Sequence, residues 1–307
     1  MDFKQMRYFV ALYEERNMTR AARRVHVVQA AVSQQIRRLE ASFGLELFER
    51  TVSGVVPNAI AHRLYPLCQQ ALNAADEVRS ALAESSGQIA GKVTFGIISA
   101  LPAMILPRVL IEFREQYPDV ELAAHDGYSQ HLLEGVVQGN FDFAIVARAE
   151  PRQTVKQVVL AEEELVAVVS SETYPTGDQL TGAELAEMRI VLPSAGNFQR
   201  NFMVNELKKR GIAINPELEV DSAISVFQLV TNPGWASIIS PSTFPVHQFG
   251  SRLRCVKLTE PTLKRTLVLA YPQHKELSPA ASLFVQAITE GLRQSGLFTV
   301  LDNPPDE

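Results

Sequence analysis

The chain has 307 residues, 46% of them hydrophobic and 21% charged, with a net charge of −5, which is too long for one ordinary domain and suits a small domain plus a larger one with a sizeable core. No run approaches the roughly 18 uninterrupted apolar residues of a membrane span. Asp2, Lys4 and Arg7 interrupt the N-terminus where a signal peptide would be apolar, so a cytoplasmic protein without a membrane partner is expected.

Charge is uneven along the chain. Residues 1–57 hold nine Lys or Arg against six Asp or Glu, and the remainder holds 20 against 28. A basic head on an acidic body fits a protein that touches DNA at one end. Cys68 and Cys255 lie far apart, offer no metal spacing, and do not make a disulfide framework in a cytosolic chain. No cofactor is expected.

In chain order, FKQMRYFVALYEERN places Phe3, Met6, Phe9, Val10 and Tyr13 on one helical stripe. TRAARRVHVVQAAVSQQIRRLE then reads as two short helices with a tight bend between them. Ala21, Ala22 and Val25 share a face of the first helix, away from Arg20, Arg23 and Arg24. In the second, Ala31, Val32, Ile36 and Leu39 recur every three to four residues and leave Gln29, Ser33, Gln34, Arg37 and Arg38 opposite. Short hydrogen-bonding side chains followed by arginines suit a helix that reads base edges and meets phosphates. A water-facing amphipathic hairpin is the alternative, and the flanks argue against it. Phe43, Leu45, Leu47 and Phe48 supply apolar anchors, and Arg50-Thr51-Val52-Ser53-Gly54 has the character of a wing with a glycine turn.

From Asn58 to Ser86, Ile60, Leu64, Leu67, Ala71, Ala74, Val78 and Ala81 recur at 4-3-4-3-4-3 spacing, the seam of a helix that pairs with a second copy. Pro66 should kink it, and Ser85-Ser86-Gly87 should end it as a hinge. Gly91-Lys92 invites a phosphate-loop reading that fails, because the spacing is wrong and Val93 stands where a Ser or Thr is needed.

Beyond Lys92 the pattern is α/β. VTFGII, VELAAHD and FDFAIVAR read as strands, alternating with the helices PAMILPRVLIEFREQYP and HLLEGVVQGN. After Pro151 the strands LVAVVS, RIVLP, ELEV and ASIIS alternate with AELAEM and QRNFMVNELKKRG. RTLVLAY reads as a strand crossing back, and SPAASLFVQAITEGLRQS as a closing helix with Ser278 as N-cap. Such alternation predicts parallel sheets covered by helices. Ligands in such folds sit at the carboxyl ends of strands. Those positions are Ser99 and Ala100, then Tyr128, Ser129 and Gln130, then Arg148, and in the second lobe the loop Ser194 to Arg200, which includes Asn197, Phe198 and Gln199. Ser99 and Ser129 are also explicable as helix caps, and Arg148 or Arg200 as either carboxylate clamps or solvated surface residues.

The motifs RYFVAL, TRAA, Q-x-A-V-S-x-Q-I-x-x-LE and G-x-x-LFER together resemble the DNA-binding domain of LysR-type transcriptional regulators, and the two lobes resemble that family's effector domain, itself similar to periplasmic binding proteins. Four positions depart from the family pattern: Val28 for Ser, Ala30 for Pro, Asn58 for Thr and Ala61 for Gly. Val28 removes an N-cap side chain, at a cost of about 1 kcal/mol.

The resemblance implies a winged helix-turn-helix over 1–58, a linker and dimerisation helix with hinge over 59–88, and an effector-binding domain over 89–307. The latter divides into lobe I, about 92–161 plus 268–300, and lobe II, about 162–267. It implies DNA contacts from Thr19, Arg20, Gln29, Ala30, Ser33, Gln34, Arg37, Arg50 and Ser53, and effector contacts from the loops named above. Some members sense peroxide through a pair of effector-domain cysteines, but this chain has one Cys there. The partners implied are double-stranded DNA with two half-sites, a small-molecule effector of which a carboxylate is one candidate, further copies of the chain to form dimers and tetramers, and RNA polymerase.

Three other readings each leave something over. No nucleophile, metal set or acid–base pair marks an enzyme. A soluble carrier explains the lobes but not the head, and an architectural DNA binder explains only the head. An allosteric transcription regulator accounts for every part.

Overall fold

The computed structural model describes residues 1–51, 54–84, 88–99, 101, 105–148, 152–174 and 176–301. The chain divides into two compact units. One is Met1–Lys92 with Val137–Asn140, and the other is Val93–Val136 with Phe141–Glu307.

In the first unit, Asp2 opens helix α1 (Phe3–Glu15) with a capping box, its side chain accepting from Gln5 N at 2.7 Å while Gln5 Oε1 accepts from Asp2 N at 3.1 Å. Tyr8 to Leu12 are buried, but Phe3 is 55% exposed and lies off the buried stripe expected of it. Helix α2 (Met18–Arg24) is capped by Asn17, and α3 (Gln29–Phe43) starts at Val28, which makes no side-chain cap, and ends on Gly44 in the left-handed region. Val32, Ile36 and Leu39 of α3 close on Ala21 and Ala22 of α2 and on Phe9 and Leu12 of α1. The wing is an antiparallel hairpin of β1 (Phe48–Thr51) and β2 (Gly54–Pro57). Of its four expected anchors, Leu47 and Phe48 pack inward, whereas Phe43 and Leu45 are exposed.

Helix α4 (Ala59–Glu84) runs through Pro66. Asn58 caps it as the usual Thr would, its Oδ1 accepting from Ile60 N and Ala61 N at 3.0 Å. Ala61, Leu64, Tyr65, Cys68 and Leu72 pack on the core of the head, while Ile60, Leu67, Val78 and Leu82 are exposed. Leu64 is half-buried against its own head, while Leu67 and Val78 of the expected seam face outward. The side chain of Ala81 and the hinge Ser85-Ser86-Gly87 lie outside the described residues.

The second unit holds two six-stranded sheets. The chain runs β3 (Gly91–Ile98), α5 (Leu106–Gln116), β4 (Val120–Gly127), α6 (Ser129–Val137), β5 (Phe143–Ala147) and β6 (Val155–Glu164). It continues through β7 (Val166–Ser170), β8 (Gln179–Thr181), α7 (Gly182–Ala186), β9 (Arg189–Leu192), α8 (Phe198–Lys209), β10 (Leu218–Glu219) and α9 (Ala223–Val230). Last come β11 (Trp235–Ile239), a 3-10 turn at Pro241–Thr243, α10 (Val246–Phe249), β12 (Leu253–Thr259), β13 (Lys264–Pro272), α11 (Pro279–Gln294) and β14 (Thr299–Val300).

Strand order is β14-β6-β13-β5-β3-β4 in lobe I and β10-β9-β11-β7-β12-β8 in lobe II. Both sheets are mixed, which corrects the expectation of parallel ones. β3 and β5 are parallel, but β13 runs antiparallel to β5 and β6, and β7 antiparallel to β11 and β12. The cause is the two connections between lobes, through Leu165 and through residues 260–263, which return the chain in opposite directions. Phe95, Phe113, Phe143 and Phe284 form the aromatic centre of lobe I, with ring centroids 4.9–5.5 Å apart in contacting pairs. In lobe II, one core layer is built on Ala167, Ile190 and Ile238 and another on Val168, Val191 and Phe227.

Candidate nucleic-acid interface and effector cleft

The outward face of α3 carries Gln29, Ala30, Gln34, Arg37 and Arg38, all exposed. Ser33 is half-buried, and its hydroxyl accepts from Arg37 Nη2 at 3.0 Å. Thr19 Oγ1 donates to Gln29 Oε1 at 3.4 Å, tying the start of α2 to the start of α3. Glu40, at the inner end of α3, accepts from Leu47 N at 2.9 Å and Phe48 N at 3.4 Å, which hangs the wing from the same helix. The wing is also pinned to α1, since Val55 N donates to the Arg16 carbonyl at 3.0 Å. Gly54 has φ +138°, and a Cβ there would lie 2.7 Å from that carbonyl oxygen, so glycine is needed twice over. Arg50 sits in β1 opposite Val55 in backbone register, and its side chain and all of Ser53 lie outside the described residues.

Periodicity gave no sign of the joint between α1 and α4. The Tyr13 hydroxyl is 2.7 Å from His62 Nδ1, the Tyr13 and Tyr65 rings stack at 4.1 Å, and the Tyr65 hydroxyl donates to Glu14 Oε1 at 2.6 Å. Burial, then the Glu14 contact, holds the Tyr65 phenol well above its ordinary range. Burial likewise raises the Cys68 thiol to about 11, which keeps it protonated and unreactive at neutral pH.

In the second unit a cleft of about 560 Å³ opens between the two lobes. From lobe I it is lined by Ser99, Tyr128, Ser129 and Gln130, and from lobe II by Asn197, Phe198 and Gln199. Ile98, Leu133, Phe227 and Ile239 give it an apolar wall. The first turns of α6, α8 and α9 all contribute to the lining, and helix N-termini favour acceptor groups. Two hydroxyls are already engaged, Ser99 Oγ donating to Asp126 at 3.2 Å and Ser129 Oγ accepting from Ala147 N at 3.3 Å. Tyr128 of lobe I faces Asp221 and Asn197 of lobe II, and desolvation followed by the Asp221 charge raises its phenol.

Three residues expected in the cleft do not line it. Arg148 is exposed, with its amide donating to Thr266 O. Arg200 is turned into an ion pair with Glu219 at 2.7 Å, and Ser194 spends its amide and hydroxyl on Asp221 at 3.0 Å. Ala100 lies outside the described residues.

Arg265, by contrast, lines the cleft without having been singled out in the sequence. It lies at the start of β13, 3% exposed, with Nη2 2.6 Å from Glu163 Oε2 near the end of β6 and Nη1 donating to Gln199 Oε1 at 3.1 Å. Glu163 also accepts from Ser242 N at 2.9 Å. Desolvation lowers the Arg265 pKa, opposed by Glu163. The only hints in the sequence were a lone Arg opening RTLVLAY and the acidic run Glu162-Glu163-Glu164 before LVAVVS. Neither cysteine lines the cleft, Cys68 being in the head core and Cys255 on β12.

Residues 3–62 match the family described as a bacterial regulatory helix-turn-helix protein of the lysR family, and residues 86–293 match the LysR substrate binding domain. The chain belongs to the LysR family and is a DNA-binding transcriptional regulator with an effector-binding domain. It is 27% identical over 297 residues to the uncharacterized HTH-type transcriptional regulator YfeR of Shigella flexneri, covering 95% of this chain and 94% of that one. Among solved structures, a full-length OxyR from Pseudomonas aeruginosa superposes with TM-score 0.76 at 19% identity, covering 99% of both chains. Full-length CbnR complexed with its target DNA gives 0.68 at 22%, covering 95% of this chain and 100% of that chain. Among the described residues no helix is long and apolar enough to cross a membrane.

Proposed function

We propose that this cytoplasmic, non-catalytic regulator reads a promoter site of two half-sites through α3 and responds to a small polar effector held in the cleft of the second unit. The observation that carries the reading is the outward face of α3, where two glutamines precede two arginines on a helix fixed by α1, α2 and the wing. Gln29, Ala30, Ser33 and Gln34 read base edges, while Thr19, Arg20, Arg37, Arg50 and Ser53 meet the sugar-phosphate backbone or the minor groove. The head spans residues 1–58, the linker 59–88 and the effector domain 89–307.

The effector has an apolar body against Ile98, Phe227 and Ile239 and acceptor groups toward Ser99, Gln130, Asn197 and Gln199. A guanidinium clamp from Arg148 or Arg200 is not part of this reading, because neither lines the cleft. Thiol-based peroxide sensing is not part of it either. Binding re-angles the lobes, changes how dimers joined along α4 pair into a tetramer, and thereby changes the bend or spacing of the bound DNA seen by RNA polymerase.

A thermal-shift series of small carboxylates and aromatic acids tests the cleft, since a ligand of the native state raises apparent stability. Compounds that stabilise the full-length protein should lose that effect in Ala223→Trp, which fills the cleft, and should alter promoter affinity in the parent. Stabilisation that survives the filled cleft places the effector elsewhere.

A further inference from the structure

Arg20 and Arg24 lie one helical turn apart on α2, and the last turn of α1 holds both guanidiniums. Arg20 Nη2 donates to the Glu15 carbonyl at 2.5 Å, and its Nε is 3.2 Å from Glu15 Oε2. Arg24 Nη1 pairs with Glu14 Oε2 and lies 3.7 Å from Glu15 Oε1. Glu14 is fixed in turn by the Tyr65 hydroxyl of α4. Glu14 therefore sits between the linker helix and Arg24 of α2, while Glu15 bridges Arg20 and Arg24.

These guanidiniums are occupied without being enclosed. The Arg20 and Arg24 side chains are 63% and 47% exposed, against 28% and 26% for Glu15 and Glu14. A guanidinium fork binds a carboxylate and a phosphate through the same two-oxygen geometry, so a phosphate can take either place. In a helix-turn-helix the first helix crosses the DNA backbone while the second enters the groove. Thr19, next to Arg20, is hydrogen-bonded to Gln29 at the start of α3, so this end of α2 adjoins the groove-facing side.

We propose that Arg20 and Arg24 are phosphate-contact residues whose guanidiniums are held in the free protein by Glu15 and Glu14 standing in for phosphates, so that duplex DNA must displace these carboxylates to bind. The inference rests on α3 being the recognition helix. It makes Glu14 and Glu15 intramolecular competitors that lower affinity for any sequence, since the contacts concerned are with the backbone. It also makes Arg24, which no motif marks, part of the DNA interface, and it puts the holding carboxylate Glu14 under the hand of α4 through Tyr65.

The test is a double-substitution cycle on the full-length protein, measuring affinity for a random-sequence duplex against salt concentration, with thermal denaturation as a folding control. Arg20→Gln should weaken binding and lower the salt slope by about one. Glu15→Gln should tighten binding by about two- to fivefold, as expected for release of an exposed ion pair. That gain should vanish in the Glu15→Gln/Arg20→Gln protein. Glu14→Gln and Arg24→Gln should behave alike.

A gain that persists without Arg20 overturns the competition and makes Glu15 a charge that merely repels DNA. No gain in Glu15→Gln, with binding still weakened in Arg20→Gln, likewise overturns the competition while leaving Arg20 on the backbone. Undiminished affinity in Arg20→Gln removes α2 from the interface and overturns the proposal, yet leaves α3 as the reader, which base preference tests separately.

Discussion

Val28 occupies the N-cap of α3 with extended backbone, φ −76° and ψ 148°, 72% exposed and without a capping bond. The backbone is already arranged for a hydroxyl to reach the first turn. Val28→Ser should therefore raise stability by about 1 kcal/mol, read as a shift in the thermal or urea midpoint. An unchanged midpoint would mean that the first turn is already satisfied. Gly54 is the opposite case, because its φ of +138° and the Arg16 carbonyl both exclude a side chain. Gly54→Ala should cost on the order of 1–3 kcal/mol and loosen the wing. Protection of the Val55 amide in hydrogen exchange reports this directly, and full retention would contradict it. At this scale the sequence was most legible where a residue acts on its own backbone. The missing cap at Val28 and the glycine turn at Gly54 were both readable, whereas the Glu163–Arg265 pair joins positions 102 residues apart and no local pattern announces such a contact.

Helix α4 shows that one apolar repeat can serve two neighbours. Residues 60 to 81 carry a seam by spacing, and the helix also buries a second stripe on its own head, against which Leu64 is half-buried. Period alone cannot say which neighbour an apolar face meets. Leu67 is 61% exposed, so a charge there costs the isolated chain little, which sharpens the dimerisation test. Leu67→Glu should break the dimer and keep the helicity, and affinity for a two-half-site duplex should fall by an order of magnitude or more as the linked-site gain is lost. Light scattering that returns the parent's mass would move the interface off this face.

Other elements escaped for reasons of the same kind. SAISVFQLVT buries Val226, Phe227 and Val230 on one face as α9, but at eight residues it is too short for its apolar period to stand out in the sequence. β6 ends in three glutamates, one of which turns inward to Arg265, and this broke the alternation that would have marked the strand.

For the whole molecule, the order of parts was legible because each carries its own period, heptad-like along α4 and alternating α and β beyond Lys92. The mixed sheets were not, since strand direction depends on where the chain crosses between lobes. Those crossings place Glu163 and Arg265 beside each other on β6 and β13, against Gln199 of lobe II. Removing one partner leaves a buried charge, so Arg265→Met should cost about 3–5 kcal/mol, while Glu163→Leu combined with Arg265→Met should cost much less. Fluorescence of Trp235, the single tryptophan, 7% exposed in lobe II, follows urea unfolding of this unit. Equal losses in the single and double variants would show that the pair acts through packing rather than charge.

On the reading proposed above, α3 reads DNA through Gln34 and its neighbours as part of a two-fold assembly. Selection of binding sequences from a random duplex pool measures this most directly, run in parallel on the parent and on Gln34→Ala. The parent should enrich two related half-sites. The variant should show a relaxed base preference at one position in each half-site and lose about 1–3 kcal/mol on the parent's sequence. An identical enriched sequence from both proteins, or enrichment of a single unpaired half-site by the parent, would contradict this reading.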